Sequence, residues 1–234
     1  MASDDQIDLF SLAEVTAPAA SANFDPSQIP TSARVPIPPG TYSSMAEIKA
    51  HCDQCQRCEL GQTRTNAVIG RGGLAAPVMI VGEGPGQTED ETGLPFVGKS
   101  GQLLTKILES VQLTDDDVFI CNVVKCRPPE NRTPTTAEAD ACKGYLMEQI
   151  RLVNPKIILL TGATAMKGLL GIKQGITKVR GQWFEQDGRF YMPIFHPAYL
   201  LRNQSREKGS PKWLMWQDIQ AVRAKLDEIR SASN

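Results

Sequence analysis

The sequence predicts an α/β fold of three layers, in which helices cover both faces of a central, mostly parallel four-stranded sheet. Four short apolar runs are each bounded by turn residues, and amphipathic segments long enough to form helices separate them. Strands that alternate with helices along a chain favour right-handed crossovers, and such crossovers place the strands in parallel.

The predicted strands are continuous apolar runs rather than alternating ones. A strand covered by helices on both faces has this composition, because neither face meets water. In chain order the runs are PVMIVG (77–82), DVFICNVV (117–124), KIILLTG (156–162) and FYMPIF (190–195).

Amphipathic segments predict the helices that lie between and after these strands. The second segment opens on Thr-Pro-Thr-Thr and carries Glu138 in its first turn, which is an N-terminal capping pattern. The last segment follows Pro211. The predicted helices cover residues 100–111, 135–153, 164–171 and roughly 211–230.

The first 45 residues differ in composition from the rest of the chain. Residues 1–50 carry six acidic side chains against two basic ones, a net charge of −4, whereas the remainder carries 23 bases against 20 acids, a net of +3. Six of the 16 prolines also lie in this first part. We therefore expect a disordered leader over residues 1–45 and one folded domain over residues 46–234, basic enough to bind DNA.

The composition excludes a membrane protein. With 41% hydrophobic and 22% charged residues, the chain has the profile of a globular protein, and no apolar run approaches the roughly 18 residues needed to span a bilayer. The start, MASDDQID, lacks the cationic region of a secretory signal. We expect a cytoplasmic protein, in which six cysteines indicate metal binding or chemistry rather than disulfides.

Polar residues follow the ends of the predicted strands. Gly82 and Glu83 follow the first strand, Asn122 lies near the end of the second, and His196 follows the fourth. In open α/β sheets, ligands bind outside the carboxyl ends of the strands. We therefore expect these residues to share one crevice, and we interpret His196 as a functional group. The other histidine, His51, is expected to be exposed to solvent.

The cysteines form a closely spaced triplet and a more distant group. A C-x2-C pair and two distant cysteines can complete a four-thiolate site for zinc or for an iron–sulfur cluster, and the spacing leaves both metals open. Cys121 lies inside an apolar strand and is expected to be a core side chain. The triplet is Cys52, Cys55 and Cys58, and the others are Cys121, Cys126 and Cys142.

Four motifs occur together in one order along the chain. They are GEGPG (82–86), ED followed by GLPFVGKSGQLL (89–104), NVVKCRPPENRTP (122–134) and HPAYLLRN (196–203). Together they resemble the family 4 uracil-DNA glycosylases, bacterial and archaeal repair enzymes that carry a [4Fe–4S] cluster. The resemblance extends from about residue 48 to 229. It implies a uracil-DNA glycosylase-like fold and an enzyme that flips uracil out of DNA and hydrolyses its N-glycosidic bond.

The resemblance also implies roles for individual residues. Uracil is expected to stack on Phe96, to present its edge to Asn122 and to contact His196. The backbone at Gly82 and Gly84 is expected to bind the pyrimidine edge or a phosphate. The implied cluster ligands are Cys55, Cys58, Cys126 and Cys142, which leaves Cys52 as an extra cysteine.

These residue types suit the removal of uracil. An asparagine amide accepts from uracil N3–H and donates to O4, whereas cytosine presents the opposite pattern and would leave buried groups unpaired. A donor at His196 would stabilise the negative charge that develops on O2. Glu83 is expected either to act on water or the sugar, or to cap a helix N-terminus, and both interpretations stay open.

The segment after His196 is expected to contact DNA. The apolar Leu200 and Leu201 would enter the space left in the base stack, and Arg202 would lie near phosphates. Further candidates for phosphate contacts are Lys125, Arg127, Arg132, Arg206, Lys208 and Lys212.

Two other functions remain open from the sequence. One is a metal-containing protein that binds damaged bases in DNA without turnover. The other is a glycosylase for a different deaminated base. In each case we expect a monomer whose partner is damaged DNA.

The leader contains a candidate docking peptide. Residues 6–10, QIDLF, are similar to the short Q-x-[D/S]-L-F peptide by which bacterial repair and replication proteins bind the sliding clamp. Leu9 and Phe10 are large apolar residues in a polar segment, and Gln6 supplies a hydrogen-bonding group. The motif predicts that a clamp is a second partner.

Overall fold

The computed structural model describes residues 35–232 and confirms the predicted fold class. Four parallel strands form the centre of the sheet in the order β3-β2-β4-β6. Every residue of β2, β3 and β4 is buried, as their continuous apolar composition predicts. These four strands are β2 (Val78–Gly82), β3 (Val118–Asn122), β4 (Ile157–Thr161) and β6 (Arg189–Ile194).

Two short edge strands correct the predicted count, because the sheet has six strands rather than four. Strand β1 (Arg71–Gly72) pairs antiparallel with β3, and β5 (Phe184–Gln186) pairs antiparallel with β6. Strands of two and three residues are too short to show a hydrophobic period. Asp187 and Gly188, with φ of 53° and 69°, form the turn that joins β5 to β6.

Helices cover both faces of the sheet. Met79 and Val81 of β2 belong to the apolar core on one face, whereas Val78 and Ile80 belong to the core on the other. Helices α1, α5 and α6 contribute to the first core, and α4, α8 and α9 to the second. The helices are α1 (Met45–Asp53), α2 (Leu60–Thr63), α3 (Gln87–Thr92), α4 (Lys99–Glu109), α5 (Thr136–Val153), α6 (Ala163–Leu170), α7 (Ile176–Val179), α8 (Pro197–Arg202) and α9 (Pro211–Ala232). Within residues 35–232, no helix is long and apolar enough to cross a membrane.

The start of α5 has the predicted capping box. The Thr135 hydroxyl accepts from the Glu138 amide at 3.2 Å, and the Glu138 carboxylate accepts from the Thr135 amide at 2.7 Å. Arg132 donates two hydrogen bonds to the same carboxylate, and this pairing lowers the pKa of Glu138 to about 2. Arg132 is therefore engaged within the protein, although it was a candidate for phosphate contact.

The segment before α1 packs on the domain. Ile37 and Tyr42 are buried, so ordered packing begins ahead of the predicted boundary at residue 46. The amides of Gly40 and Tyr42 donate to the Glu148 carboxylate of α5 at 2.9 and 3.0 Å. His51 lies on the inner side of α1, where its Nδ1 hydrogen-bonds the Tyr42 hydroxyl, and it is buried. The expectation that His51 is exposed to solvent is wrong, because α1 turns it towards α5.

Candidate active site and cysteine cavity

The carboxyl ends of β2 and β3 meet at one crevice. Gly82 and Asn122 are partners across these two strands. A Cβ on Gly82 would lie 2.3 Å from Oδ1 of Asn122 and 2.6 Å from the ring of Phe96, so a side chain there would force one of these two to move. The missing side chain lets the amide of Asn122 and the ring of Phe96 converge. We use "the crevice" for the space between Gly82, Phe96, Asn122 and His196.

Asn122 supplies an acceptor that the protein itself does not use. The residue is 2% exposed, and its Oδ1 has no hydrogen-bond partner among the described residues. A buried acceptor left unpaired costs about 1–3 kcal/mol. A ligand N–H at this position would remove that cost, which suits a site for a base edge.

Phe96 lies in the loop between α3 and α4 in a strained backbone conformation. Its φ is 53°, in the left-handed region that bulky residues rarely adopt. The Glu89 carboxylate accepts from the amides of Val97 and Gly98 at 3.0 and 2.8 Å, which fixes the loop after Phe96. The ring of Phe96 lies 6.0 Å from that of His196, centroid to centroid, at an interplanar angle of 32°.

His196 is held as a neutral imidazole that donates from Nε2. It caps the N-terminus of α8, where its Nδ1 accepts from the amide of Ala198 at 3.1 Å. An accepting Nδ1 places the ring proton on Nε2. Burial lowers the pKa of His196, against the opposing influence of Glu83, so the neutral form is favoured.

Glu83 and Gly84 complete the turn after β2. The Thr164 hydroxyl, in the first turn of α6, donates to the Glu83 carboxylate. No side chain caps the backbone amides of α6, so the capping and catalytic interpretations of Glu83 both stay predictions. Gly84 lies against Val124, since a Cβ on it would be 2.8 Å from a Val124 methyl group.

Two predicted DNA contacts are corrected by burial. Leu200 is 1% exposed and belongs to the core beside α4 and α9, so it is not available to enter a base stack. Its helix turns it inward, whereas Leu201 is partly exposed and Arg202 is exposed. Lys125 is also 1% exposed, which excludes it as a surface contact to phosphate.

Five cysteines line one cavity, which we call the cysteine cavity. All four predicted cluster ligands are among them, together with Cys52. Cys121 is buried within β3 and belongs to the core, as predicted. Within residues 35–232, no three His, Cys, Asp or Glu side chains are placed to hold a single metal ion. The five are Cys52, Cys55, Cys58, Cys126 and Cys142.

Cationic side chains surround the cysteine cavity. Arg57, Arg64 and Lys125 line it, and Arg64 donates to Sγ of Cys126 at 3.1 Å. Nη1 of Arg57 is buried and has no partner among the described residues. Burial raises the pKa of the Cys126 thiol to about 11, and Arg64 opposes this rise. A cavity lined by thiols and cations suits an anionic group held by thiolates.

The match to known proteins covers the residues that form the crevice. The sequence model of the Uracil DNA glycosylase superfamily matches residues 69–220. A type-4 uracil-DNA glycosylase of Thermotoga maritima is 48% identical over 167 residues, which is 70% of this chain and 86% of the relative. The chain belongs to the type-4 uracil-DNA glycosylases. The resemblance seen in its four motifs is thereby confirmed.

This type-4 glycosylase has more distant relatives as well. The type-4 enzyme of Archaeoglobus fulgidus is 39% identical over 174 residues, 70% of this chain and 87% of the relative. The type-5 uracil-DNA glycosylase of Pyrobaculum aerophilum is 30% identical over 204 residues, 74% of this chain and 90% of the relative.

Two residues of this glycosylase, Glu89 and Thr164, have positioning roles that the sequence did not predict. Glu89 also accepts from the amide of Gly86, the N-cap residue of α3, at 3.1 Å. The sequence predicts no helix over residues 87–92, so there was no helix start to which this role of Glu89 could be assigned. Thr164 carried no local sign of its role, because its partner Glu83 lies 81 residues earlier in the chain.

Proposed function

We propose that this protein is a DNA-repair enzyme that hydrolyses the bond between uracil and deoxyribose in DNA and leaves an abasic site. The observation that carries the proposal is the unpaired, buried Oδ1 of Asn122 beside the ring of Phe96. Membership of the type-4 uracil-DNA glycosylases supports it independently.

The crevice offers the groups needed to recognise a flipped uracil. Oδ1 of Asn122 accepts from N3–H, and the amide nitrogen donates to O4. Phe96 stacks on the ring, a contact worth about 1–3 kcal/mol, which offsets part of the few kcal/mol that base extrusion costs. Cytosine has an acceptor at N3, so it would face the acceptor of Asn122 without a proton between them.

His196 serves the bond cleavage in this proposal. As the C1′–N1 bond breaks, uracil leaves with the electron pair and negative charge develops on O2. The neutral imidazole donates a hydrogen bond from Nε2 to O2, and this hydrogen bond stabilises the developing negative charge. Water then bonds to C1′ and releases one proton, and the departing uracil anion takes up one proton, so that the products are the abasic sugar and neutral uracil. Glu83 lies in the turn after β2, where the Thr164 hydroxyl donates to its carboxylate. In this proposal, that carboxylate orients the attacking water or stabilises positive charge on the sugar.

A direct test uses an oligonucleotide that contains a single uracil, followed by alkali to cleave abasic sites. We expect a cleaved strand from the uracil substrate and none from matched strands with cytosine or thymine. If the uracil strand binds to the protein and is not cleaved, the protein would instead be one that binds damaged bases without turnover. Cleavage at hypoxanthine alone would indicate a glycosylase for another deaminated base.

We propose a [4Fe–4S] cluster as the cofactor, held by Cys55, Cys58, Cys126 and Cys142. Zinc requires its ligands within about 2.3 Å of one ion. Among residues 35–232, no three His, Cys, Asp or Glu side chains are placed to hold a single metal ion, and the four cysteines instead surround a cavity. That arrangement suits a cubane, in which each thiolate binds a different iron. The bound cluster would supply an anionic cross-link between the segment after α1 and α5.

Iron content tests this cofactor. We expect brown protein after anaerobic purification, with about four irons per chain. The Cys58→Ser variant should lose the iron, whereas its matched control Cys52→Ser should keep it, because Cys52 is the cavity thiol outside the proposed set. Colourless protein with stoichiometric zinc would contradict the proposal.

We also propose that the leader binds a sliding clamp through Gln6, Leu9 and Phe10, which lie outside the described residues. Tethering would raise the local concentration of the enzyme near replicated DNA. A fluorescent peptide of residues 1–15 should bind the clamp saturably, and replacement of Leu9 and Phe10 by alanine should abolish binding. Absence of saturable binding by the unchanged peptide would refute clamp docking and leave the glycosylase proposal intact.

We propose that the enzyme acts as a monomer with DNA as its substrate. Light scattering on the full chain should give the mass of one 25.6 kDa protein. A stable dimer would contradict it.

A further inference from the structure

Lys125 connects the crevice to the cysteine cavity. Its Nζ donates to the main-chain carbonyl of Asn122 at 2.5 Å and to Oε1 of Gln149 at 2.6 Å. Its backbone amide donates to Sγ of Cys142 at 3.3 Å, and its side chain lines the cysteine cavity. One residue therefore contacts both the residue proposed to recognise uracil and a proposed cluster ligand.

The charge of Lys125 has no carboxylate partner in the described part of the chain. None of the ion pairs within residues 35–232 includes it, and its side chain is almost completely buried. Its Nζ donates to a carbonyl oxygen and to an amide oxygen, which carry no formal charge. A buried cation needs a compensating anion nearby, and the cavity that Lys125 lines contains five thiols.

The ammonium group of Lys125 also fixes the end of β3, through its hydrogen bonds to Asn122 and Gln149. Gln149 belongs to α5 and also donates to the carbonyl of Ile69 at 2.9 Å, so the oxygen that receives Lys125 is itself anchored. Beyond Asn122, the amide of Val123 donates to the carbonyl of Gly82 at 2.9 Å. Movement of Lys125 would shift the carbonyl of Asn122 and, with it, the side-chain amide in the crevice.

We propose that Lys125 is a positioning residue that couples the cysteine cavity to uracil binding. Its ammonium group is the counter-charge of the anionic cluster, and it holds Asn122 in the orientation that pairs with uracil. This inference rests on the proposed function. A change in the charge of the cluster then alters uracil affinity, and uracil must alter the reduction potential of the cluster by the same free energy.

The first experiment uses the unmodified holoenzyme. The reduction potential of the cluster is measured with and without saturating free uracil. We expect uracil affinity to differ about fivefold between the oxidised and reduced protein, the low end of common couplings. Fivefold corresponds to a change of about 40 mV in potential, at 59 mV per tenfold for one electron. Equal potentials in the two samples would overturn the inference.

The second experiment compares Lys125→Met with Lys156→Met, an exposed lysine at the opposite ends of the strands. Lys125→Met should keep its iron but lower the cluster potential, because a nearby cation stabilises the more negative, reduced state. It should also raise KM for the uracil strand about tenfold, with a smaller change in kcat. Lys156→Met should match the unmodified protein in both. Unchanged potential and KM in iron-loaded Lys125→Met would overturn the inference.

The outcomes separate this inference from the function beneath it. If Lys125→Met does not fold, the potentials of the unmodified protein with and without uracil decide. If the protein excises uracil and contains iron, but its reduction potential is the same with and without uracil, only the proposed coupling is refuted. A protein with neither excision nor iron would remove the proposed function and this inference together.

Discussion

At the scale of single residues, the proposed function gives Asn122 the role of distinguishing uracil from cytosine, since thymine presents the same N3–H and O4 as uracil. The Oδ1 of Asn122 has no hydrogen-bond partner among the described residues, and at the base edge it accepts a hydrogen bond only from a base that carries a proton at N3. Specificity in this crevice then depends on the cost of leaving a buried polar group without a partner rather than on shape alone.

Asn122→Asp should weaken uracil excision. The substitution removes the donor to O4 and adds negative charge beside the developing uracil anion. A loss of about 1–3 kcal/mol corresponds to roughly 5- to 150-fold in kcat/KM. A low activity on cytosine should appear, because its exocyclic amine donates to the new carboxylate. Assays on uracil and cytosine strands check this, with thermal unfolding to verify folding, and unchanged uracil activity in a folded variant would contradict it.

His196 should make stability depend on pH in a defined direction. Burial lowers the pKa of His196 from its ordinary value of 6.5. Above that value the ring is neutral in both states. As the pH falls below it, the unfolded chain takes up a proton that the folded protein resists, so stability decreases towards the lower folded pKa, by up to about 1.4 kcal/mol per pH unit.

Urea unfolding of the unmodified protein and of His196→Gln, at pH 7.5 and pH 5.5, measures this contribution. The unmodified protein should lose more stability between the two values than the variant. Equal losses would show that His196 does not resist protonation.

Residue types at strand ends predicted the crevice, but burial of single side chains was harder to predict. Asn122 and His196 were located because parallel strands bring their carboxyl ends together. Lys125 and Leu200 were assigned to the DNA surface, yet both are buried. The sequence around Lys125 and Leu200 does not show whether either side chain points inward or outward. Residues far away in the chain, which pack against these segments, decide the direction.

At the scale of elements, the loop between α3 and α4 brings Phe96 to the crevice. Its geometry depends on Glu89, which accepts from three amides of that loop and of the start of α3. A charged acceptor that receives several hydrogen bonds is stronger than a neutral one.

Glu89→Gln should loosen this loop. Glutamine places an NH₂ group where one carboxylate oxygen accepts amide protons, so at least one partly buried amide loses a charged acceptor, at about 1.5–3 kcal/mol. We expect a lower unfolding free energy and a higher KM, with kcat less affected because His196 lies on a different element. Steady-state kinetics and urea unfolding check both, and an unchanged KM would show that the loop is held by other contacts.

The sheet was predictable in its centre and not at its edges. The four parallel strands are long apolar runs, whereas β1 and β5 are two and three residues long and are partly exposed. The Asp187–Gly188 turn was the one local sign of β5, since Asp-Gly favours a tight hairpin. The short β1 had no comparable sign, and its pairing with β3 depends on the finished sheet.

At the scale of the whole molecule, charge is distributed unevenly. Residues 1–50 have a net charge of −4, and the rest of the chain has +3. Arg202 is exposed at the end of α8, next to the partly exposed Leu201 and on the side of the crevice. DNA binding should therefore depend on salt through a small number of phosphate contacts.

Arg202→Ala should reduce the salt dependence of DNA binding. Loss of one phosphate contact lowers the slope of log K against log salt by about one. Binding to uracil-free DNA, measured by fluorescence anisotropy from 50 to 200 mM salt, provides the slope. Lys156→Ala, at the opposite ends of the strands, should leave it unchanged, and equal slopes in all three proteins would exclude a phosphate contact by Arg202.

Gly82 has a consequence for how this site can change over generations of mutation and selection. Any larger residue there would place its Cβ 2.3 Å from Oδ1 of Asn122 and 2.6 Å from the ring of Phe96. A substitution at position 82 would thus displace Asn122 or Phe96 within the crevice. Adaptation to a new base, by natural drift or in a mutant library, therefore couples these three positions, and a smaller side chain at position 122 or 96 makes room for a substitution at position 82.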